Sequence, residues 1–163
     1  MKTLLLLRHA KSSWDDPDLA DFDRPLNSRG IRSAKFLGEL IHDREIRADR
    51  VVSSTSKRTK QTAVLVSQIG GLPDVVYDDR IYEASVIRLI GLIGEFDDAF
   101  DSVLLIGHNP GIADLVRVLT GESHEIPTAA LSQIALAIER WSDIVPACGK
   151  LEFVIRPKDL MPH

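Results

Sequence analysis

Four consecutive leucines, Leu4 to Leu7, run directly into Arg8 and His9. A continuous apolar run of that length suits the centre of a parallel sheet, buried on both faces, better than a half-exposed strand with alternating polarity. Parallel sheets belong to α/β folds, and open α/β folds place their ligands at the carboxyl ends of the strands. The first strand therefore delivers an arginine and a histidine to the place where chemistry is expected, with polar Lys11, Ser12 and Ser13 directly after them.

Two other segments are built the same way. Val103 to Ile106 lead into Gly107, His108, Asn109, Pro110 and Gly111, and Arg50 to Val52 lead into Ser53, Ser54 and then Arg58. An isolated Arg-His pair is ordinarily surface decoration. Two histidines and two arginines arriving at three strand ends make a compact, cationic, donor-rich pocket, and guanidinium groups match phosphate oxygens bidentately. A bound phosphate accounts for this combination best.

Periodicity places these residues on elements. Thr3 to Arg8 reads as a strand, and the polar stretch from Lys11 to Asn27, rich in Asp and Pro without helical or strand spacing, reads as a long functional loop. Ser28 is the expected N-cap of a helix reaching about Arg44, with Ile31, Ala34, Leu37, Leu40 and Ile41 on one face. A strand over Arg50 to Ser53 precedes a helix from Ser56 to about Ile69, stopped by Gly70, Gly71 and Pro73. Arg58 then sits in a first turn, where free N–H groups and the macrodipole favour an anion. Strands are expected at Val75–Tyr77, Ser102–Ile106, Leu131–Ile138 and Leu151–Ile155, and helices at Ser85–Phe96 and Asn109–Leu119. Such alternation predicts a three-layer α/β/α sandwich whose sheet is mainly parallel with an antiparallel edge pair.

With 163 residues, 44% of them hydrophobic, the chain is long enough for one domain with a substantial core, and residues 1–163 read as a single domain with a loose tail from Pro157 to His163. A net charge of −4 gives no general attraction to nucleic acid or to an anionic membrane. The leucine run is too short for a signal-peptide core and no apolar stretch is long enough to cross a bilayer, so a cytoplasmic location is expected. Cys148 is the only cysteine, which excludes an internal disulfide and a thiolate metal cluster and suits a small buried hydrophobe.

The string Leu6-Leu7-Arg8-His9-Ala10-Lys11-Ser12-Ser13-Trp14 resembles the opening signature of the histidine phosphatase superfamily. The match continues through Asp23-Arg24-Pro25-Leu26 and Gly30, through Ser53 to Arg58 with Gln61 and Thr62, and through Gly107-His108-Asn109-Pro110. Within that superfamily the chain is most similar to the small SixA-like phosphohistidine phosphatases. The resemblance covers about residues 2–120 and implies a phosphoglycerate mutase-like fold, no cofactor and no metal. It also implies that His9 is the nucleophile and His108 the second, charge-stabilising histidine, with Arg8 and Arg58 holding the phosphoryl group. Glu83 matches the position where many members carry an acid; a glutamate that merely complements a helix dipole is the competing role. Lys11, Ser12 and Ser13 either donate to the phosphate or its carrier or form a solvated loop. Asn109 either orients ligand or caps a helix, and Arg24 with Asp23 forms a pair that ties the loop down. His42, His124 and His163 lie in no motif.

Three functions fit these residues. One is a phosphatase acting on phosphohistidine in a signalling or phosphotransfer protein, consistent with a chain too short for the cap that encloses small substrates in larger relatives. Another is the same chemistry on a small phosphate ester. The third is a non-catalytic phosphate- or metal-binding module, although the arginines of the pocket would repel a cation. Substrate and oligomeric state are not encoded in any motif.

Overall fold

The computed structural model describes residues 1–162. A single six-stranded sheet runs through it, built from β1 (Lys2–Arg8), β2 (Arg50–Ser53), β3 (Val75–Tyr77), β4 (Ser102–Gly107), β5 (Leu131–Leu136) and β6 (Gly149–Ile155) in the spatial order β3-β2-β4-β1-β5-β6. The pairs β2·β3, β2·β4 and β1·β4 are parallel, whereas β1·β5 and β5·β6 are antiparallel, so the expected antiparallel edge is present.

The leucine run explains the layering. Successive strand side chains point to opposite faces. Leu4 and Leu6 join a core with Val103, Leu105 and the apolar sides of α3 (Val86–Ile93) and α4 (Gly111–Thr120). Leu5 and Leu7 join a second core with Leu104, Ile106 and the inner sides of α1 (Ser28–Asp43) and α2 (Lys57–Gly70). All four leucines are at most 1% exposed, and truncating any of them to alanine should cost about 2–5 kcal/mol. The irregular segment between β5 and β6 contributes Trp141, which is fully buried and donates its indole N–H to the Phe100 carbonyl at 2.8 Å.

Register brings the motif residues together. In the parallel β1·β4 pair Arg8 stands opposite Gly107, so His9 and His108, each the next residue in its chain, leave neighbouring strand ends side by side. In β2·β4, Ser53 stands opposite Ile106, which brings Ser54 to the same edge. The loop after β1 is pinned at its base: Ser13 N–H donates to the Pro25 carbonyl, Asn27 N–H donates to the Lys11 carbonyl, and Ser12 bridges Leu26. A Cβ on Gly30 would lie 2.1 Å from the Lys11 carbonyl oxygen, so only glycine lets α1 approach this base. Residues 14–24 form an excursion from it and carry a 3-10 turn at Asp21–Asp23.

Several boundaries differ from the sequence reading. Asn27, not Ser28, caps α1, its Oδ1 accepting the Gly30 N–H at 2.8 Å. Helix α3 ends at Ile93 rather than Phe96, freeing Phe96 to pack edge-on against Trp141 at 5.4 Å. Helix α4 begins at Gly111 with Pro110 at its N-cap, and one residue earlier the Asn109 Oδ1 accepts the Ala113 N–H at 3.2 Å. Strand β5 stops at Leu136, and β6 starts earlier than expected, at Gly149. The expected loose tail is partly ordered: Pro157–Leu160 form a short helix with Pro157 buried, and the Ser33 hydroxyl donates to the Met161 sulfur at 3.6 Å. His163 lies outside the described residues.

Candidate active site

A cleft of about 340 Å³ opens at the carboxyl ends of β1 and β4, lined by Arg8, His9, Lys11, Ser12, Trp14, Arg24, Arg58, His108, Asn109 and Thr128. The two histidine rings face one another with centroids 5.2 Å apart. His9 is buried, and its Nδ1 lies 2.7 Å from the Ala10 carbonyl oxygen. A carbonyl only accepts, so Nδ1 carries the proton and Nε2 keeps its lone pair, toward which the Arg58 Nε–H donates at 3.3 Å. Burial first, and then the cationic neighbours, push the His9 pKa down to about 3, leaving the ring neutral near neutral pH.

His108 is held from the neighbouring strand: its Nε2 lies 2.8 Å from the Ser54 hydroxyl, and Tyr82 packs edge-on against its ring at 5.3 Å. Burial, followed by the charge of Arg58, lowers its pKa to about 4. Arg8 donates through Nη1 to the Ile126 carbonyl at 3.1 Å, and burial lowers its pKa. The Arg8 Nε and the His108 Nδ1 are buried without a hydrogen-bond partner among the described residues. Such atoms carry a desolvation cost that a ligand in the cleft can relieve.

Arg58 is fixed by Asp21, donating to the Asp21 carbonyl at 2.7 Å and to its carboxylate at 3.0 Å. The same carboxylate accepts from Arg24 at 3.0 Å and from the Tyr82 hydroxyl at 2.6 Å. The loop-tying partner of Arg24 is thus Asp21, three residues away, rather than Asp23. Arg24 also donates to the Ser12 hydroxyl and the Ser13 carbonyl and lies 3.3 Å above the exposed Trp14 ring.

A second cleft of about 460 Å³ adjoins the first, lined by Asp21, Arg58, Tyr82, Glu83, Ala84, Ser85, His108, Asn109, Pro110 and Gly111. Its floor is tight, since a Cβ on Gly111 would meet the Ala84 carbonyl at 2.8 Å. Glu83 lies here and not beside His9. It precedes Ser85, the N-cap of α3, so it is not a first-turn glutamate, and its φ of 55° is costly for a residue with a side chain.

The sheet register therefore assembles Arg8, His9 and His108, the first turn of α2 adds Arg58, and Lys11, Ser12 and Asn109 line the same cleft. Ser13 does not reach it; its hydroxyl accepts the Asp15 N–H at 3.1 Å within the loop. Sequence reasoning does not single out Ser54, Asp21 or Tyr82 as site residues. Ser54 carried a signal, its place in the Ser53 to Arg58 match, whereas Asp21 is one of several aspartates in an aperiodic loop. Among the described residues no group of three His, Cys, Asp or Glu side chains is placed to hold a metal ion, and no helix is long and apolar enough to cross a membrane.

A three-layer α/β/α sandwich with this strand order and a histidine-arginine cleft at the β1 and β4 ends has the phosphoglycerate mutase-like fold. The chain belongs to the histidine phosphatase superfamily (branch 1), whose family model matches residues 4–104, more than half of it. The structure assigned as the phosphohistidine phosphatase SixA of Agrobacterium tumefaciens superposes with a TM-score of 0.83 at 30% identity, covering 96% of this chain and 98% of that one. An uncharacterized protein of Mycobacterium tuberculosis is 31% identical over 156 residues, covering 89% of this chain and 96% of its own length. The uncharacterized phosphatase PhoE of Bacillus subtilis is 27% identical over 179 residues, covering 86% and 92%. Membership and these phosphatase-named relatives support a phosphatase.

Proposed function

We propose that the chain is a metal-independent phosphatase that works through a phosphohistidine intermediate on His9 and acts on phosphohistidine carried by a signalling or phosphotransfer protein. The observation that carries this reading is the state of His9: a neutral ring, its Nδ1–H held by the Ala10 carbonyl, its Nε2 lone pair at a cleft that holds Arg8, Arg58 and His108. A nucleophile needs that tautomer, fixed before substrate arrives. Nε2 attacks phosphorus, the bond to the leaving group breaks with its electron pair departing on that group, and water hydrolyses phospho-His9 in a second displacement. Arg8, Arg58 and His108 stabilise charge on the equatorial oxygens, and Lys11, Ser12 and Asn109 orient the phosphoryl group or its carrier.

Glu83 supports a second reading, a small phosphomonoesterase. An alkoxide leaving group requires a proton, whereas imidazole, with a conjugate-acid pKa of about 6.5, departs without strong acid assistance. Phosphate release from a phosphohistidine protein, an aryl phosphate and an alkyl phosphate tests both. Under the first reading the phosphohistidine protein has the highest kcat/KM, and Glu83→Gln slows the alkyl ester far more than the phosphohistidine. A wild type that prefers the alkyl ester would favour the second reading instead.

A further inference from the structure

The two clefts that meet at Arg58, His108 and Asn109 differ in character. Beside the shared Arg58, the first presents the cations of Arg8, Lys11 and Arg24, while the second presents the carboxylates of Asp21 and Glu83 with the hydroxyls of Tyr82 and Ser85. His9 lines the first and not the second. In-line attack puts the leaving group on the far side of phosphorus from the nucleophile, so the acceptor-rich cleft is where that group belongs.

Asp21 lines the second cleft and is tied to the first through Arg24 and Arg58, which line it. Its Oδ2 accepts from Tyr82 and Arg58, and its Oδ1 accepts only from Arg24. A carboxylate oxygen takes about two hydrogen bonds, so Oδ1 keeps one acceptor position, on a side chain that is 49% exposed. The Tyr82 hydroxyl above all, then Arg58 and Arg24, hold the Asp21 carboxyl down to about 2. It is an acceptor in the working pH range and has no proton to give.

We propose that Asp21 is a specificity-determining residue for phosphorus–nitrogen substrates: its free Oδ1 position accepts the N–H of the leaving imidazole ring. The proposal rests on the phosphohistidine reading. The ring enters protonated on the nitrogen remote from phosphorus, and the carboxylate favours that form. His9 Nε2 forms its bond to phosphorus, the bond from phosphorus to the substrate nitrogen breaks, and its electron pair stays on that nitrogen. The remote N–H remains beside Asp21, so a neutral imidazole departs and no external proton is consumed. An ester leaving group has no such N–H and takes nothing from an ionised carboxylate.

The test compares phosphoimidazole with p-nitrophenyl phosphate, which share the phosphoryl group but release imidazole and a phenolate. In Asp21→Asn the ratio of kcat/KM on the first to kcat/KM on the second should fall at least about tenfold, beyond any common loss from a weaker hold on Arg58. The ratio cancels the fraction of folded enzyme, so partial unfolding does not mimic the effect. Asp21→Glu, which retains a carboxylate, should recover part of the ratio. An unchanged ratio, or both activities vanishing together, overturns the proposal and leaves Asp21 as a brace for Arg58. A carrier protein bearing phosphohistidine separates the two claims: wild type that ignores the carrier, combined with a collapsed ratio on phosphoimidazole, removes the substrate reading and keeps the role of Asp21.

Discussion

The site has two halves held by different means. Arg8, His9 and His108 hang from β1 and β4, whose ladder and fully buried side chains fix where each strand ends. Asp21 and Arg24 sit on an excursion between residues 14 and 24, pinned only at its base and held over the cleft by hydrogen bonds to Arg58, Tyr82 and Ser12. The first half inherits its geometry from the core and cannot shift without disturbing the ladder. The second is held by polar contacts, with Asp21 half exposed although Arg24 is buried, so it has fewer apolar contacts to fix it and belongs to the less stable part of the molecule. Catalytic power should concentrate in the first half and discrimination in the second.

The largest effects should test that division. Arg8→Ala and Arg58→Ala should each reduce kcat by on the order of 10² to 10³, the worth of a preorganised donor to a transition-state oxyanion, with the fold retained by circular dichroism. Arg24→Ala, on the loop side, should cost only about tenfold, expressed mainly in KM. Equal losses at Arg24 and Arg58 would break the comparison, since the loop would then be part of the rigid machinery.

A smaller effect is expected at Ser54, which donates to or accepts from His108 at 2.8 Å. Ser54→Ala removes the hydrogen bond to His108, worth about 1 kcal/mol, along with a long one from the Ser56 N–H at 3.4 Å, so kcat should fall roughly fivefold while affinity for inorganic phosphate changes less. A loss as large as that of Arg58→Ala would show that this bond sets the His108 tautomer and not only its orientation.

A separate effect, on stability rather than on rate, is thermodynamic. His9 and His108 are held near 3 and 4 in the fold against 6.5 for an ordinary imidazole. Between the folded values and 6.5 the unfolded chain binds protons that the folded chain does not, so stability is complete above about 6.5 and declines as pH falls through that window. The melting temperature should drop between about pH 7 and pH 5, and His9→Asn should flatten the slope. An unaltered slope in that variant would assign the proton uptake to other groups.

Legibility followed the same division. Continuous apolar runs announced β1 and β4, and because a parallel register aligns strand ends, Arg8, His9 and His108 could be placed together without coordinates. The layering of helices followed from strand-helix alternation. What escaped was local or aperiodic: the cap of α1 fell to Asn27 instead of its neighbour Ser28, Gly94 cut α3 short of Phe96, and the partner of Arg24 was the wrong aspartate of two. No spacing rule distinguishes Asp21 from Asp23 in a loop, because their separation is decided by where the chain folds back on α2 and Tyr82. Glu83 was visible as an acid near the site, but its placement in the neighbouring cleft depends on the turn before α3, which carries no periodic signal.

A covalent phosphoryl group at His9 is the step on which the proposed chemistry depends most directly. Rapid quenching of the wild type with phosphorus-labelled substrate should trap label that is stable to base and released by acid, localised to the peptide containing His9. The same experiment on folded His9→Ala should give none, while His108→Ala, if it traps any, should still place the label on His9. Label retained undiminished in His9→Ala would contradict the assignment and move the nucleophile elsewhere in the cleft.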